Sequence, residues 1–299
     1  MKLNREKTTF GRHETFPLRY GWLTKGFEAV KDAPGFFNDP EQAMVELGVG
    51  RNMVNAIQYW LHAVGVVDFV DGKGHATELG ETLLGDGGDC FLEDEATLWI
   101  IHWLLASNAE MATGIYWFFN HFSMARFKDK EVLPSLGEFV EQYLKLRRSQ
   151  STLKSDTSTL LRMYAPQDGR NDEQLDSPLA TLQLIEPESG GTYRSMRVMR
   201  PFLPPVVLHF ALSRRFEAEP QQAALPIRTL LYSDNDWAAP GAIFRLSEEG
   251  LMAVLNKVME LYPNCYELRD TAGVHQIYRG KVAANSLGVL KAYYQRAMS

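Results

Sequence analysis

Cysteine is nearly missing: the 299 residues include two, Cys90 and Cys265, far apart in the chain. That excludes a disulfide scaffold and a cysteine-based zinc site, and it suits a reducing cytoplasm. Long apolar runs are missing too. The nearest to one, Leu98 to Ala106, contains His102 and falls short of the roughly 18 residues that span a bilayer, so no membrane partner is expected. Met1 to Lys7 is charged and holds no apolar signal-peptide core. There is no excess of positive charge, since the formal net charge is -6. Any nucleic-acid contact must therefore come from local patches, not from a global field. No phosphate-cradling glycine loop, dinucleotide fingerprint, zinc spacing or nucleophile elbow occurs, and no repeat or low-complexity tract. What remains is ordinary globular composition, 45% apolar and 23% charged, with length enough for two domains.

The most informative stretch is Asp39 to Val67. Asp39 before Pro40 is an N-cap followed by proline at the first helical position, opening a helix to Leu47. Gly48 and Gly50 form a tight turn. A second helix follows, with Val54, Ile57 and Leu61 on its core face and Arg51, Asn52, Asn55 and Gln58 on the other. Side chains of that kind reach base edges or phosphates when a helix enters a major groove. The period then changes to strand-like Val66–Val70, a turn at Asp71–Gly74 carrying Lys73, and a return over His75–Leu79. Leu18 to Asp32 is expected to be a preceding helix, exposing Arg19, Lys25 and Lys31. Helices followed by a hairpin make a winged-helix pattern, which favours DNA contact over a unit used only for protein contacts or packing.

Phe10 and Phe16 bracket an adjacent His13-Glu14 pair, which suits either a base beside a metal ligand or two structural hydrogen-bonding groups. Gly and Asp enrichment over Glu81–Asp89 suggests a linker. Beyond it, helices are expected from Glu93 through Ala106, over Ile115–Phe122, over Leu136–Leu146 and over Lys154–Tyr164. His102 reads as a satisfied core histidine, and Glu93-Asp94-Glu95 as a solvated helix start. Arg126 to Lys154 carries seven Lys or Arg against four Asp or Glu, a modest basic patch. Pro166–Asp176 reads as a surface loop, Ser177–Ile185 as a short helix, and Thr192–Arg200 as a strand. From Gly190 to Phe216 there are five arginines and no acid; Arg194, Arg197 and Arg200 suit phosphate contact, or ion pairs with acids elsewhere in the fold. Pro204–Arg215 reads as a buried helix, and Pro240–Ser247 as a turn and strand. A helix capped by Ser247, a hairpin over Tyr266–Tyr278 and a closing helix from Leu287 complete the chain.

Several of these stretches together resemble one bacterial family. They are Phe10–Leu23, Leu47–Val54, Glu93–Trp103, Ser151–Asp156 and Pro240–Leu246. The family is that of the SspB-like proteins, largely catalogued as a domain of unknown function and found in operons for DNA phosphorothioation and phage defence. The resemblance covers roughly residues 10 to 280. It implies a DNA-nicking subunit that opens the backbone so that sulfur can replace a phosphate oxygen. Its implied partners are double-stranded DNA, a cysteine desulfurase, an ATPase and a sulfur-transfer protein, with a homodimer left open. One departure is visible: where the family usually has a small residue and then Gly before His-Glu, this chain has Gly11 and then Arg12.

The expected fold is mainly α (α+β): a winged helix-turn-helix over 1–88 and a larger helical domain over 89–299, with a small helix-plus-hairpin unit at 240–280. In the enzymatic reading, Mg²⁺ or Mn²⁺, required by the reaction class and not by a ligand motif, assists phosphodiester hydrolysis. His13 is then base or ligand and Glu14 the metal ligand. Arg19, Lys25, Arg51, Asn52, Asn55, Gln58 and Lys73 hold the duplex, and Arg194, Arg197 and Arg200 contact its backbone further along. The rivals are a non-catalytic winged-helix adaptor and a transcriptional regulator.

Overall fold

A computed structural model describes residues 1–165, 177–234, 236–271, 274–282 and 285–297. The expected loop at Pro166–Asp176 lies outside them.

The chain opens with an irregular segment that includes residues 10–16, and then three helices: α1 (Trp22–Asp32), α2 (Pro40–Leu47) and α3 (Arg51–Val64). Helix α1 starts four residues later than Leu18, because Gly21 takes a left-handed φ of 75° as its N-cap. The Asp39 side chain accepts from the backbone N–H groups of Glu41 and Gln42, as an N-cap should. Gly48 ends α2 at φ 67°, a backbone state open to glycine without cost. On α3, Val54, Ile57, Trp60 and Leu61 are buried. Next comes a hairpin of β1 (Val67–Val70) and β2 (Lys73–Ala76), paired from Val67 opposite Ala76 to Val70 opposite Lys73. Its turn is two residues, shorter than expected, with Asp71 at φ 50° and Gly72 at φ 76°. Both positive values are what a tight hairpin with right-handed twist requires. The capping chemistry at α2 is local, so an Asp39→Ala change should cost about 1 kcal/mol of stability, read as a lower urea midpoint at unchanged slope.

The expected linker at Glu81–Asp89 is helical only over its first four residues, the end of α4 (Glu78–Leu84), which Thr77 caps by accepting from the Gly80 N–H; Gly85, Gly87 and Gly88 follow the helix in turns and bends. Helix α5 (Glu95–Ser107) is buried nearly throughout, and it packs against α6 (Thr113–Asn120). His102 has both ring nitrogens satisfied: it lies 2.8 Å from the Tyr164 hydroxyl and 2.9 Å from the Ile243 carbonyl.

The third long helix begins earlier than expected. After β3 (Arg126–Lys128), α7 runs Asp129–Glu138 and gives way to a π-helical turn, Phe139–Tyr143. Helix α8 (Gln150–Tyr164) follows, capped by Ser149, then a 3₁₀ turn at Pro178–Leu182. The Arg-rich stretch is a strand only at β5 (Thr192–Arg194), which sits between β3 and β4 (Glu186–Glu188). Helix α9 (Pro205–Ala218), β6 (Ala224–Pro226) and α10 (Ile227–Leu231) lead to Pro240. There the expected turn and strand is a short helix, α11 (Pro240–Ile243), with a single bridge from Leu246 to Val198. Helix α12 (Glu248–Leu261), the hairpin β7 (Tyr266–Thr271) and β8 (Val274–Arg279), and α13 (Ser286–Ala297) close the chain. Strand β6 adds to that hairpin in the order β6-β8-β7.

The architecture is α+β, with helices enclosing one apolar core and three small antiparallel sheets at its margins. The core runs across residue 88: Asn108 donates to the Ala63 carbonyl and Tyr59 to the Met111 carbonyl. Among the described residues no helix is long and apolar enough to cross a membrane.

Candidate nucleic-acid interface

Residues 10–16 fold as a tight element held against α3 on one side and α8 on the other. Gly11 has φ 74°, and a Cβ there would sit 3.0 Å from the Thr152 side chain on α8. The Gly11 N–H donates to Asp156 Oδ1 at 3.3 Å. His13 is 3% exposed, and its ring stacks on Trp60 of α3 at 6.1 Å. The Thr15 N–H donates to Nδ1 of His13 at 3.2 Å, which makes that nitrogen an acceptor. The ring proton therefore sits on Nε2, which donates to Asp156 Oδ1 at 3.1 Å. Both ring nitrogens are occupied.

This bracing accounts for the next two residues. Glu14 and Thr15 adopt left-handed backbone at φ 50° and 67°, a state costing roughly 1–2 kcal/mol at each non-glycine position. The turn closes by the Phe16 N–H donating to the His13 carbonyl at 2.8 Å. Trp60 Nε1 donates to the Phe16 carbonyl at 3.2 Å, and Arg162 of α8 donates to the Thr15 carbonyl. Strain that the surroundings overdetermine is characteristic of working sites. Here it turns Glu14 outward while His13 points in.

Glu14 faces a cleft of about 510 Å³, also lined by Arg12, Asn55, Gln58, Tyr59 and His62. The element at residues 10–16 and the exposed face of α3 thus share one wall system. Burial and the Asp156 carboxylate hold the Tyr59 phenol well above its ordinary pKa, so Tyr59 is a neutral donor.

Three of the sequence-predicted residues, Glu14, Asn55 and Gln58, meet in this cleft, and His13 supports it from behind. Arg51 and Asn52 stand exposed on the first turn of α3. Arg51 lies 3.9 Å from Glu41 and lines a separate groove with Met44, Val45 and Met53. Lys25 is exposed on α1 and Lys73 on the hairpin. Arg19 lies over the Phe16 and Trp22 rings at 5.7 and 5.4 Å.

The three later arginines are not brought to the cleft. Arg194 pairs with Glu186, its cross-strand neighbour in the sheet. Arg197 donates to the Leu231 carbonyl at 2.6 Å and covers the Tyr232 ring at 4.5 Å. Arg200 donates to the Gln183 carbonyl at 3.3 Å and covers Trp99 at 5.7 Å. Pairing and carbonyl capture are tertiary, so a count of nearby acids in the sequence does not reveal them.

The sequence marks no role for Asp156, although it ends the Ser151–Asp156 motif. It holds Gly11 and His13 in place from α8. Its second oxygen, Oδ2, is buried without a partner among the described residues. An Asp156→Ala change strips the acceptor from two buried N–H groups and should cost about 2–4 kcal/mol. Urea unfolding measures the loss, and easier proteolysis near residue 14 would show that the element has loosened.

Among the described residues no group of three or more His, Cys, Asp or Glu is arranged to hold a metal. The cleft wall carries one carboxylate, Glu14. Magnesium often takes one or two carboxylates and completes its shell with water and substrate phosphate. Glu14 fits a shared ion of that kind and not a closed protein cage.

A family model for a protein of unknown function, DUF4007, matches residues 10–294. No curated protein matches. Two solved structures do, an SspB crystal structure and a magnesium ion-bound SspB crystal structure. Each is 25% identical to this chain with a TM-score of 0.83, covering 99% of this chain and 91% of the other. The chain therefore belongs to the DUF4007 family and has an SspB-like fold.

Proposed function

We propose that residues 1–88 act as a winged-helix DNA-binding unit, and that the protein nicks one strand of DNA at the Glu14 cleft within a phosphorothioation-based defence system. The observation that carries this is the shared cleft. The strained Glu14 and the exposed polar face of α3, Asn55 and Gln58, line the same space. A helix laid in a groove through those side chains brings a phosphodiester to Glu14. Lys25, Arg51, Asn52 and Lys73, exposed on α1, α3 and the hairpin, are the further duplex contacts in this reading.

In this reading Glu14 holds Mg²⁺ or Mn²⁺ together with water and phosphate oxygens. One of the two similar structures is a magnesium ion-bound SspB. When bound, the ion polarises the phosphate and lowers the pKa of its water. Arg12 on the same wall neutralises phosphate charge. His13 is a positioning residue, since both nitrogens are engaged and its ring fixes the backbone that presents Glu14. The sulfur-inserting cysteine desulfurase, ATPase and sulfur-transfer protein would then act on the opened strand. Assembly as a homodimer belongs to the same proposal.

The test is relaxation of supercoiled plasmid with Mg²⁺ or Mn²⁺ and an EDTA control. Metal-dependent open-circle product should fall at least a hundredfold in Glu14→Gln. His13→Ala should also lose activity, together with stability. Asn55→Ala or Gln58→Ala should weaken duplex binding about tenfold, the value of one polar interaction with a base, measured by fluorescence anisotropy. Unchanged affinity in both variants removes α3 from the interface. A second reading, a DNA-binding adaptor without chemistry, draws on the lack of a preformed metal-ligand cluster among the described residues. DNA binding with no nicking in any metal would select it.

A further inference from the structure

A second cleft, of about 460 Å³, lies between the end of α6 and the π-helical turn at Phe139–Tyr143. The turn is wide because the Leu144 N–H donates to the Phe139 carbonyl, five residues back, at 3.0 Å. Such turns are rare and recur at functional sites. Here the turn places Phe139 and Tyr143 on one wall of the cleft, with ring centroids 5.2 Å and planes 17° apart. The Tyr143 ring is pinned: its hydroxyl donates to Asp236, and Arg5 lies over it at 4.4 Å. A near-parallel aromatic pair held in this way is a stacking platform that loses little freedom when a ligand arrives. Met124, 44% exposed, lines the same space. So do the exposed polar residues Glu138 and Gln142. His121 lines it too, and its Nε2 is buried without a partner among the described residues. A polar group of a bound molecule would remove that cost. Aromatic walls with a few polar groups at the margin mark small-ligand sites.

Charge indicates the kind of ligand. Lys145, Arg147 and Arg148, two to five residues beyond Tyr143, are exposed. Arg148 lies over the Phe10 ring at 5.9 Å, at the start of the element that presents Glu14. Tyr143 and Arg148 are at most about 18 Å apart along the chain, so a basic segment joins this cleft to that element. A flat apolar platform, polar groups at its edge and positive charge alongside are the parts of a site for an unpaired nucleotide.

We infer that this cleft takes one unpaired nucleobase, stacked on Phe139 and Tyr143 with its edge toward Glu138 and Gln142. The source of the base is the strand at the Glu14 cleft, which rests on the DNA-binding reading above; a nick frees a strand end to unstack into it. Glutamate accepts from the amino group of cytosine, and glutamine pairs with adenine. A base with an exocyclic amino group is therefore favoured over thymine.

The test is the anisotropy of short fluorescent single strands of oligo-dA, oligo-dC and oligo-dT, with a duplex measured in parallel. Oligo-dA and oligo-dC should bind about tenfold tighter than oligo-dT, the value of one base-edge contact. Tyr143→Leu should weaken all three about tenfold, the loss of one stacking face. Tyr143→Phe keeps the ring and should bind as the unaltered protein does. Glu138→Ala combined with Gln142→Ala alters exposed side chains and should abolish the base preference. Duplex affinity should stay the same in all of these variants. Strand affinity indifferent to Tyr143→Leu overturns the site. An equal loss in Tyr143→Phe also overturns it, because that traces the effect to the Asp236 bond. Calorimetric binding of deoxyadenosine monophosphate, lost in Tyr143→Leu and without any strand binding, gives the cleft to a free nucleotide and overturns the strand assignment. Those outcomes leave duplex binding standing. Absence of duplex binding by the unaltered protein removes the DNA reading, and with it the source of the base.

Discussion

Lowering the pH from 7 to 4 should remove roughly 3 kcal/mol of folding stability for each of two buried histidines. His102 is fully buried, and burial, helped by Arg245 and Arg200, lowers its pKa to about 3 against the donated bond to the Ile243 carbonyl. His209 is 3% exposed, and burial lowers its pKa to about 4. It contacts the Tyr266 hydroxyl at 2.9 Å and lies against the Tyr262 ring at 4.1 Å. Both pKa values are depressed in the folded state. Above about pH 6.5 neither state is protonated, and the contribution is complete. Below that value the unfolded chain takes up protons that the folded chain refuses, and stability falls. The fall continues until the folded pKa values are reached, near 4 for His209 and near 3 for His102. Its rate is about 1.4 kcal/mol per pH unit for each histidine. Urea midpoints at pH 7, 6, 5 and 4 measure it. A His102→Met variant should start less stable, since it strands the Tyr164 hydroxyl and the Ile243 carbonyl, yet lose its stability with a pH slope shallower by about 1.4 kcal/mol per unit. An unchanged slope in that variant would show that His102 is not one of the responsible groups.

Replacing Arg245 by Ala should cost more than about 4 kcal/mol and leave little folded protein. This side chain is 4% exposed and has no carboxylate partner among the described residues. Instead, its donors serve carbonyls and a hydroxyl. Nε donates to Ser195 Oγ at 2.9 Å, Nη2 to the Phe118 carbonyl at 3.0 Å, and Nη1 to the Phe119 carbonyl at 3.2 Å. Phe118 and Phe119 sit in the last turn of α6, where carbonyls have no intrahelical partner and the helix dipole is negative. The guanidinium is therefore a distant C-cap placed at a favourable pole. Burial, with Arg197 and Arg200 nearby, still lowers its pKa to about 9. Truncation to Ala strands three acceptors at about 1–3 kcal/mol each and opens a cavity. Lysine keeps the charge but is a compact donor that cannot span all three, so Arg245→Lys should recover only part of the loss. Arg245→Met separates packing from polarity, because it fills the stem volume and removes the buried charge. If that variant matched the unaltered protein in urea, the network would be worth no more than its own desolvation. The effect should extend to the cleft: α6 receives the Thr9 N–H on Thr113 Oγ1 at 2.9 Å, and its Gly114 packs beside Asp156.

The elements legible in the sequence are those whose signals act within a few residues. Asp39 and Pro40 announced α2, Asp71-Gly72 the hairpin turn, and Ser247 the start of α12, because a cap or a tight turn is satisfied by its own neighbours. The apolar spacing of Val54, Ile57 and Leu61 located the buried side of α3, and with it the outward face of Asn55 and Gln58. His102 was readable as core because the run around it, Leu98 to Ala106, is apolar on nearly every side. Local signals also ran out: the Gly/Asp-rich stretch Glu81–Asp89 did not reveal that α4, capped at Thr77, extends into it as far as Leu84, and the acid-free stretch left phosphate contact and ion pairing elsewhere in the fold equally open. The sequence by itself thus determined helix content, the α3 face and the candidate pair His13-Glu14. Only the tertiary structure decided which of that pair faces outward. It did so through Asp156, 143 residues away from His13, and through Trp60 and Arg162, which brace a backbone turn that is unfavourable alone. Local propensity has a range of a few residues, whereas a buried hydrogen bond is fixed by whatever the packed core brings within about 3 Å. The site is a product of that packing.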